Sequence, residues 1–246
     1  MMTSVNRLNG AALAAIDGKI GHVTDVFFDD VAWAVRYLVV DTGSMLASRE
    51  VLISPHSVRQ RPVETEKQID VGLSRDQIEH SPEIDSHQTV SRRHELEQLR
   101  YYGYPGYWDC DAVWAMSAVP LTPPMEELMT PAETPSPEDR RLRSCSHVKG
   151  YAIHATDGAI GHVADFVFDD DSWTIRELTV DTRNWWPGGK KVLVGTGCID
   201  SIDWAERAVY VNQTREQIRA CPEHAQGYEV EPGVATAGEH VTPWED

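Results

Sequence analysis

One feature restricts this chain more than any other: it repeats itself. "DGKIGHVTDVFFDD" occupies residues 17–30 and "DGAIGHVADFVFDD" residues 157–170. Between 17–42 and 157–182, 16 of 26 positions are identical. They include Gly18/Gly158, Ile20/Ile160, Gly21/Gly161, His22/His162, Trp33/Trp173, Arg36/Arg176 and the Asp-Thr pairs at 41–42 and 181–182. The match continues from "EVLIS" at 50 to "KVLVG" at 191, after a one-residue insertion, and from "SRDQIEHSP" at 74 to "TREQIRACP" at 214. Self-similarity of this kind marks duplication of a whole structural unit. The repeated unit is about 75 residues, roughly 8–82 and 148–222.

Each copy reads as β. The Asp-Gly pair at 17–18 or 157–158 is a turn, and a strand follows through "IGHVTDVFF" or its twin. "DDVAW" and "DDDSW" read as hairpin tips, and "AVRYLVVD" and "TIRELTVD" as returning strands rich in β-branched residues. Tyr37 is replaced by Glu177 and Val39 by Thr179, while Leu38/Leu178 and Val40/Val180 stay apolar. With a period of two, the leucine and second valine point inward and Tyr37 and Val39 outward. "EVLIS" and "KVLVG" are short strands, and "QRPVETEKQIDVG" and "SIDWAERAVYVN" final β pairs. Ser74 and Thr214, each with Gln three residues on, are capping-box starts of short helices.

The order "D-G-x-I-G-x-V-x-D-x-x-x-D", "R-x-L-V-V-D-T", "x-V-L-I-S-P", found twice, resembles the PRC-barrel family. That family is named for the cytoplasmic domain of the photosynthetic reaction-centre H subunit and also occurs in ribosome maturation factors. The resemblance covers some 150 of 246 residues. The layout looks like bacterial tandem PRC-barrel proteins. It implies a mainly β chain with two small PRC-type β-barrels in tandem, short helices and an acidic linker. The expected division is 1–82 for the first barrel, 83–147 for the connection, 148–222 for the second barrel and 223–246 for an acidic, disordered tail. The chain has neither the membrane helix of the H subunit nor the N-terminal domain of the ribosome factors, so neither role carries over.

The connection holds a helix, "SRRHELEQLR", with Ser91 as N-cap and a thin stripe from Leu96 and Leu99 that needs a surface to lie on. Next comes "YYGYPGYW", with Tyr101, Tyr102, Tyr104, Tyr107 and Trp108: a stacking platform, or a strap packed on a barrel. Residues 119–140 are rich in proline and acid and read as a linker.

There are 22 basic and 39 acidic residues, a net charge of −17. That field repels nucleic acid and anionic membrane and suits basic protein partners. No secretory leader or spanning segment is read, and the expected location is cytoplasmic. Cys110, Cys145, Cys198 and Cys221 lack C-x-x-C spacing and read as reduced thiols. No cofactor site and no catalytic set is read. The acidic tips Asp29–Asp30 and Asp169–Asp171 lack the staggered oxygens of a calcium loop and read as solvated turns. His22 and His162 are the only metal or pH-sensing candidates, against a reading as partly buried barrel-end histidines on the face of Ile20 and Ile160. Asp41–Thr42 and Asp181–Thr182 are expected to bond the loops that follow them. Those loops carry Met45 and Leu46 in one copy and Trp185 and Trp186 in the other. Such tips mark contacts: across a pseudo-twofold between the barrels, in a homodimer, or folded over their own barrel. The function expected is non-catalytic, an interaction or scaffold protein with an unidentified protein partner. The alternative is a ligand-, metal- or pH-responsive sensor built on the His22/His162 pair.

Overall fold

The computed structural model describes residues 1–43, 49–60, 67–82, 84, 90, 92–104, 142–183, 185 and 188–223. The fold is mainly β. The first unit runs β1 (Met2–Ser4), α1 (Val5–Leu8), β2 (Ala12–Ala15), β3 (Gly18–Asp29), β4 (Ala34–Asp41), β5 (Glu50–Ile53), a 3-10 turn (Pro55–Ser57), β6 (Val58–Gln60), β7 (Gln68–Val71) and α2 (Arg75–Glu79). Helix α3 (Arg92–Tyr102) follows. The second unit repeats the order: β8 (Leu142–Ser144), α4 (Cys145–Val148), β9 (Ala152–Ala155), β10 (Gly158–Asp169), β11 (Thr174–Asp181), β12 (Lys191–Gly195), a 3-10 turn (Thr196–Cys198), β13 (Ile199–Asp203), β14 (Ala208–Val211) and α5 (Arg215–Ala220).

Within each unit the long hairpin is the spine. β3 pairs antiparallel with β2 and β4, β4 with β5, and β2 lies parallel to β7, which pairs with β6. β9 to β14 pair in the same way. Both long strands carry bulges at equivalent places: Val23/Asp25 and Phe27/Phe28 in one, Val163/Asp165 and Val167/Phe168 in the other. Gly21 and Gly161 sit where the hairpin strands crowd together. A Cβ there would lie 2.1 Å from the Asp41 carbonyl oxygen or 2.4 Å from that of Asp181. This close approach explains why both copies keep glycine at that position. Capping boxes close the first turns of α2 and α5 as expected, with Ser74 and Thr214 accepting from the amides of Gln77 and Gln217.

The strands of both units belong to one curled sheet. Its strands run β13-β14-β9-β10-β11-β4-β3-β2-β7-β6, with β1, β5, β8 and β12 paired off this path. The units join at Ala34↔Thr174, where β4 meets β11 antiparallel. They also exchange their first strands. β1 does not pair with its own unit's long strand but with β10, in the register Met2↔Asp169, Thr3↔Phe168, Ser4↔Val167. Reciprocally, β8 pairs with β3, as Leu142↔Asp29, Arg143↔Phe28, Ser144↔Phe27. The second unit therefore begins at Leu142, six residues before the start read from the repeat. A single apolar cluster runs through both units, including Leu13, Phe28 and Leu38 from the first and Ile153, Phe166 and Phe168 from the second.

The outward reading of Tyr37 and Val39 is corrected. Both are buried, in a second cluster with Phe27, Leu52, Ile84, Val90 and Leu142. Residues of the connecting segment cover this face, a contact that period-two reasoning within a strand cannot show. α3 buries Leu99 as expected, together with two polar residues, Glu95 and Gln98. The Gln98 amide donates to the Pro82 carbonyl at 2.6 Å.

Candidate functional site

The repeated phrase is the hardware of the seam between the units. Asp25 and Asp165, one residue past the first bulge, turn toward the exchanged strand of the other unit. Asp165 accepts from the Ser4 hydroxyl and from the Asn6 amide at 3.2 Å. Asp25 accepts from the Ser144 hydroxyl, from the Ser146 amide at 3.1 Å and from the Ser146 hydroxyl at 2.7 Å. Lys149 adds an asymmetric tie, donating to the Asn6 side chain at 2.5 Å and lying 3.8 Å from Asp165.

The acidic tips belong to the same seam, and Asp29 and Asp170 are buried there, not solvated as the sequence suggests, while Asp171 is exposed. Asp29 is 6% exposed; it accepts from the amides of Val31 and Ala32 and pairs with buried Arg36 at 3.2 Å. Asp30 receives Arg143 of the exchanged β8 at 2.9 Å, and burial raises its carboxyl above the ordinary range. Arg143 also lies over the Trp204 ring, 3.9 Å from its centre, so one guanidinium links both units. Asp169, Asp170 and Asp171 converge to within 4.8 Å, and the amine of Met1 sits among them at 3.3, 2.7 and 3.5 Å.

Trp33 and Trp173 have φ of 51° and 54°, a conformation that costs a bulky residue energy. Each ring stacks on a phenylalanine of its own unit, Trp33 on Phe28 and Trp173 on Phe168. Each carbonyl reaches across the seam: Val35 donates to Trp173 at 2.8 Å and Ile175 to Trp33 at 2.6 Å. The strained turn thus aims a backbone acceptor at the other unit, while the ring is held by its stack on the phenylalanine.

The structure separates the histidines. Strand β4 leaves Ala34 and β11 leaves Thr174 in opposite directions, each for roughly 20 Å at about 3.3 Å per residue. His22 faces Asp41 at one far end and His162 faces Asp181 at the other. Neither belongs to a group of three possible metal ligands among the described residues. His22 is exposed, not partly buried: Ile20 is an extra residue where β3 pairs with β2, between Lys19 and Gly21, and this breaks the alternation that would have put His22 on the Ile20 face. His162 is half-buried.

Asp41 and Asp181 bond the following loops, accepting from Gly43 at 2.8 Å and Arg183 at 3.0 Å, while Thr42 and Thr182 donate to the carbonyls of Arg49 and Lys190. The Arg183 guanidinium clamps Asp181 and holds its carboxyl down to about 2, with His162 adding a smaller effect of the same sign. A depressed carboxyl stabilises the fold above its unfolded value, here 3.8, and this contribution is lost as pH falls from about 4 to about 2. Arg183→Ala should flatten that part of the pH–Tm curve measured between pH 5 and 2. The effect is expected to be modest because Arg183 faces solvent.

Trp185 follows β11, whose end at Asp181 points away from Thr174, where β4 and β11 meet. Trp185 is 45% exposed. Met45, Leu46, Trp186, Tyr107, Trp108, Cys110 and Ser91 lie outside the described residues. Tyr101, Tyr102 and Tyr104 form a strap on the first unit. Tyr101 donates its hydroxyl to the Gln77 carbonyl at 2.8 Å, Tyr104 hydrogen-bonds the Ser57 hydroxyl at 2.8 Å, and Tyr102 stacks on Tyr104. Burial pushes the Tyr102 phenol up to about 12. Cys145 is buried in the core at the seam and its thiol is pushed well up, while Cys198 and Cys221 are half-buried.

A strand, a short helix, a long bulged hairpin, a 3-10 turn, a β pair and a capped helix make up the second unit, and residues 142–218 match the family model of the PRC-barrel domain. The second unit is a PRC-barrel domain. The match begins at Leu142, so it takes in β8, the strand this PRC-barrel domain lends to the first unit. No curated protein matches the chain. Among the described residues, no helix is long and apolar enough to cross a membrane.

Proposed function

We propose that this chain is a non-catalytic, cytoplasmic interaction or scaffold protein built from two PRC-type units. The repeat and the matching strand registers support assigning the first unit to the same family as the second. The observation that carries the functional reading is the reciprocal strand exchange. It fixes two similar units about a pseudo-twofold and turns the outer ends of their hairpins in opposite directions, an arrangement suited to bridging two partner molecules. At one outer end, Trp185 offers a large exposed aromatic of the kind that anchors protein interfaces. The charge of −17 favours a partner with a basic surface and disfavours nucleic acid.

The reading of His22 and His162 as one paired sensor has no support in their placement at opposite ends. The scaffold reading is tested by quantitative pull-down from native lysate with wild type and Trp185→Ser. The variant should lose at least about tenfold in partner capture while its stability changes by no more than about 0.5 kcal/mol, as for most surface substitutions. Equal capture by both proteins would remove Trp185 from the interface.

A further inference from the structure

Two positions change together between the copies. Ser57, which ends the first unit's 3-10 turn, corresponds to Cys198, and Ser81, just past α2, corresponds to Cys221, just past α5. The backbone frame around them is the same in both units. The Ser57 carbonyl accepts from the Gly72 amide at 2.7 Å and the Cys198 carbonyl from Asn212 at 2.9 Å. The Ser81 and Cys221 amides donate to the carbonyls of Ile78 and Ile218 at 3.3 and 3.1 Å.

In the first unit the two serines are bridged from outside. Ser57 shares a hydrogen bond with Tyr104 at 2.8 Å, the Tyr102 hydroxyl lies beside Ser81, and the two rings stack 5.7 Å apart. Both serines are buried. The strap thus ties the 3-10 turn to the end of α2. In the second unit, Cys198 and Cys221 pack on the same core cluster but stay half-buried. They lie close enough for a charge on one to disfavour a charge on the other. Two thiols in this place need no strap, because joined to each other they make the same tie directly. Their 23-position separation hides them from any search for C-x-x-C spacing.

We propose that Cys198 and Cys221 are a redox site: they form a reversible disulfide that staples the 3-10 turn after β12 to the end of α5, with a small-molecule disulfide as the oxidant. The Cys198 thiolate attacks one sulfur of the reagent, whose S–S bond breaks and releases one small thiolate. Cys221 gives its proton to water and attacks the Cys198 sulfur, and the mixed disulfide releases the second small thiolate. The protein gives up two electrons and two protons, and the reagent is reduced to two thiols. The order follows from the surroundings. The Cys221 thiol donates to the Gln217 carbonyl at 3.5 Å, and burial, Cys198 and Glu177 hold it above its ordinary value, so Cys198 attacks first. This assignment does not depend on the scaffold reading; either can fail alone.

The test treats the full chain with oxidised glutathione and then with dithiothreitol. Oxidation should remove the mass of two hydrogens and leave no glutathione adduct, and peptide mapping should recover Cys198 joined to Cys221. The bond closes a loop of 24 residues holding β13, β14 and α5, and Tm should rise by about 5–10 °C. Hydrogen exchange in α5 should slow while α2, where serines hold both positions, stays unchanged. Dithiothreitol should reverse each effect. Cys221→Ser, which installs the first unit's residue, should stop at a glutathione adduct on Cys198 with no gain in Tm. Separate adducts on both cysteines of the wild type, a bond from either to Cys110 or to another chain, a fall in Tm on closure, or no reaction at all would overturn the proposal.

Discussion

Replacing Asp25 and Asp165 together by alanine is expected to cost about 4 kcal/mol, near 2 for each carboxylate that accepts charge-assisted hydrogen bonds. For a chain of this size that corresponds to a fall in Tm of about 8–16 °C. Each carboxylate ties the first turn of one unit to the long strand of the other. The damage should therefore be local before it is global. Hydrogen exchange at residues 2–8 and 142–148 should accelerate in the double variant while the amides of β4 and β11 stay protected. Asparagine at both positions keeps one acceptor oxygen and should recover about half the loss. A Tm drop with no faster exchange in those two segments would show that the aspartates act elsewhere.

Phe28→Ala is expected to be comparably severe, at about 3–5 kcal/mol for an aromatic removed from a sealed core. Phe28 is fully buried, stacks on Trp33 with ring centres 5.6 Å apart, and meets Phe166 of the other unit at 5.3 Å. The second consequence is in the shape of the transition. Loss of this cross-seam ring contact should weaken coupling between the units and broaden or split the calorimetric peak. Phe168→Ala provides the control: Phe168 is equally buried and stacks on Trp173 at 5.2 Å within its own unit. It should lower Tm by a similar amount while keeping one transition. Identical peak shapes in the two variants would argue against Phe28 as a coupling contact.

Much of the fold could be read from local pattern. The long strands, the hairpin tips and the two capping boxes rest on spacings of two to four residues, and the repeat checked each assignment against its twin. What escaped the sequence rests on longer range. Three-residue strands such as β1 and β8 carry no periodicity of their own, and their partners lie well over a hundred residues away. The visible signals were Ser4 recurring as Ser144 and Asp25 as Asp165, four residues whose meaning appears only when they are seen to bond each other crosswise. His22 was assigned to the wrong face because Ile20 is an extra residue against β2, and such an insertion reverses every alternation beyond it. Tyr37 looked exposed because the strand sequence holds no record of Ile84 and Val90 lying over it. Of the candidate site, Trp185 was legible as an exposed aromatic, but its place at an outer end was not, since that follows from the seam.

The central claim is that two units of one chain are locked together by exchanging their first strands. The most direct test is to introduce a protease site between residues 105 and 141, cut the folded protein, and weigh the product by size-exclusion chromatography with light scattering. The exchange predicts that the halves stay together as a one-to-one complex with the mass of the uncut chain, and separate only on denaturation or with Asp25 and Asp165 both replaced. Free elution of the two halves from the cut wild-type protein under native conditions would contradict it.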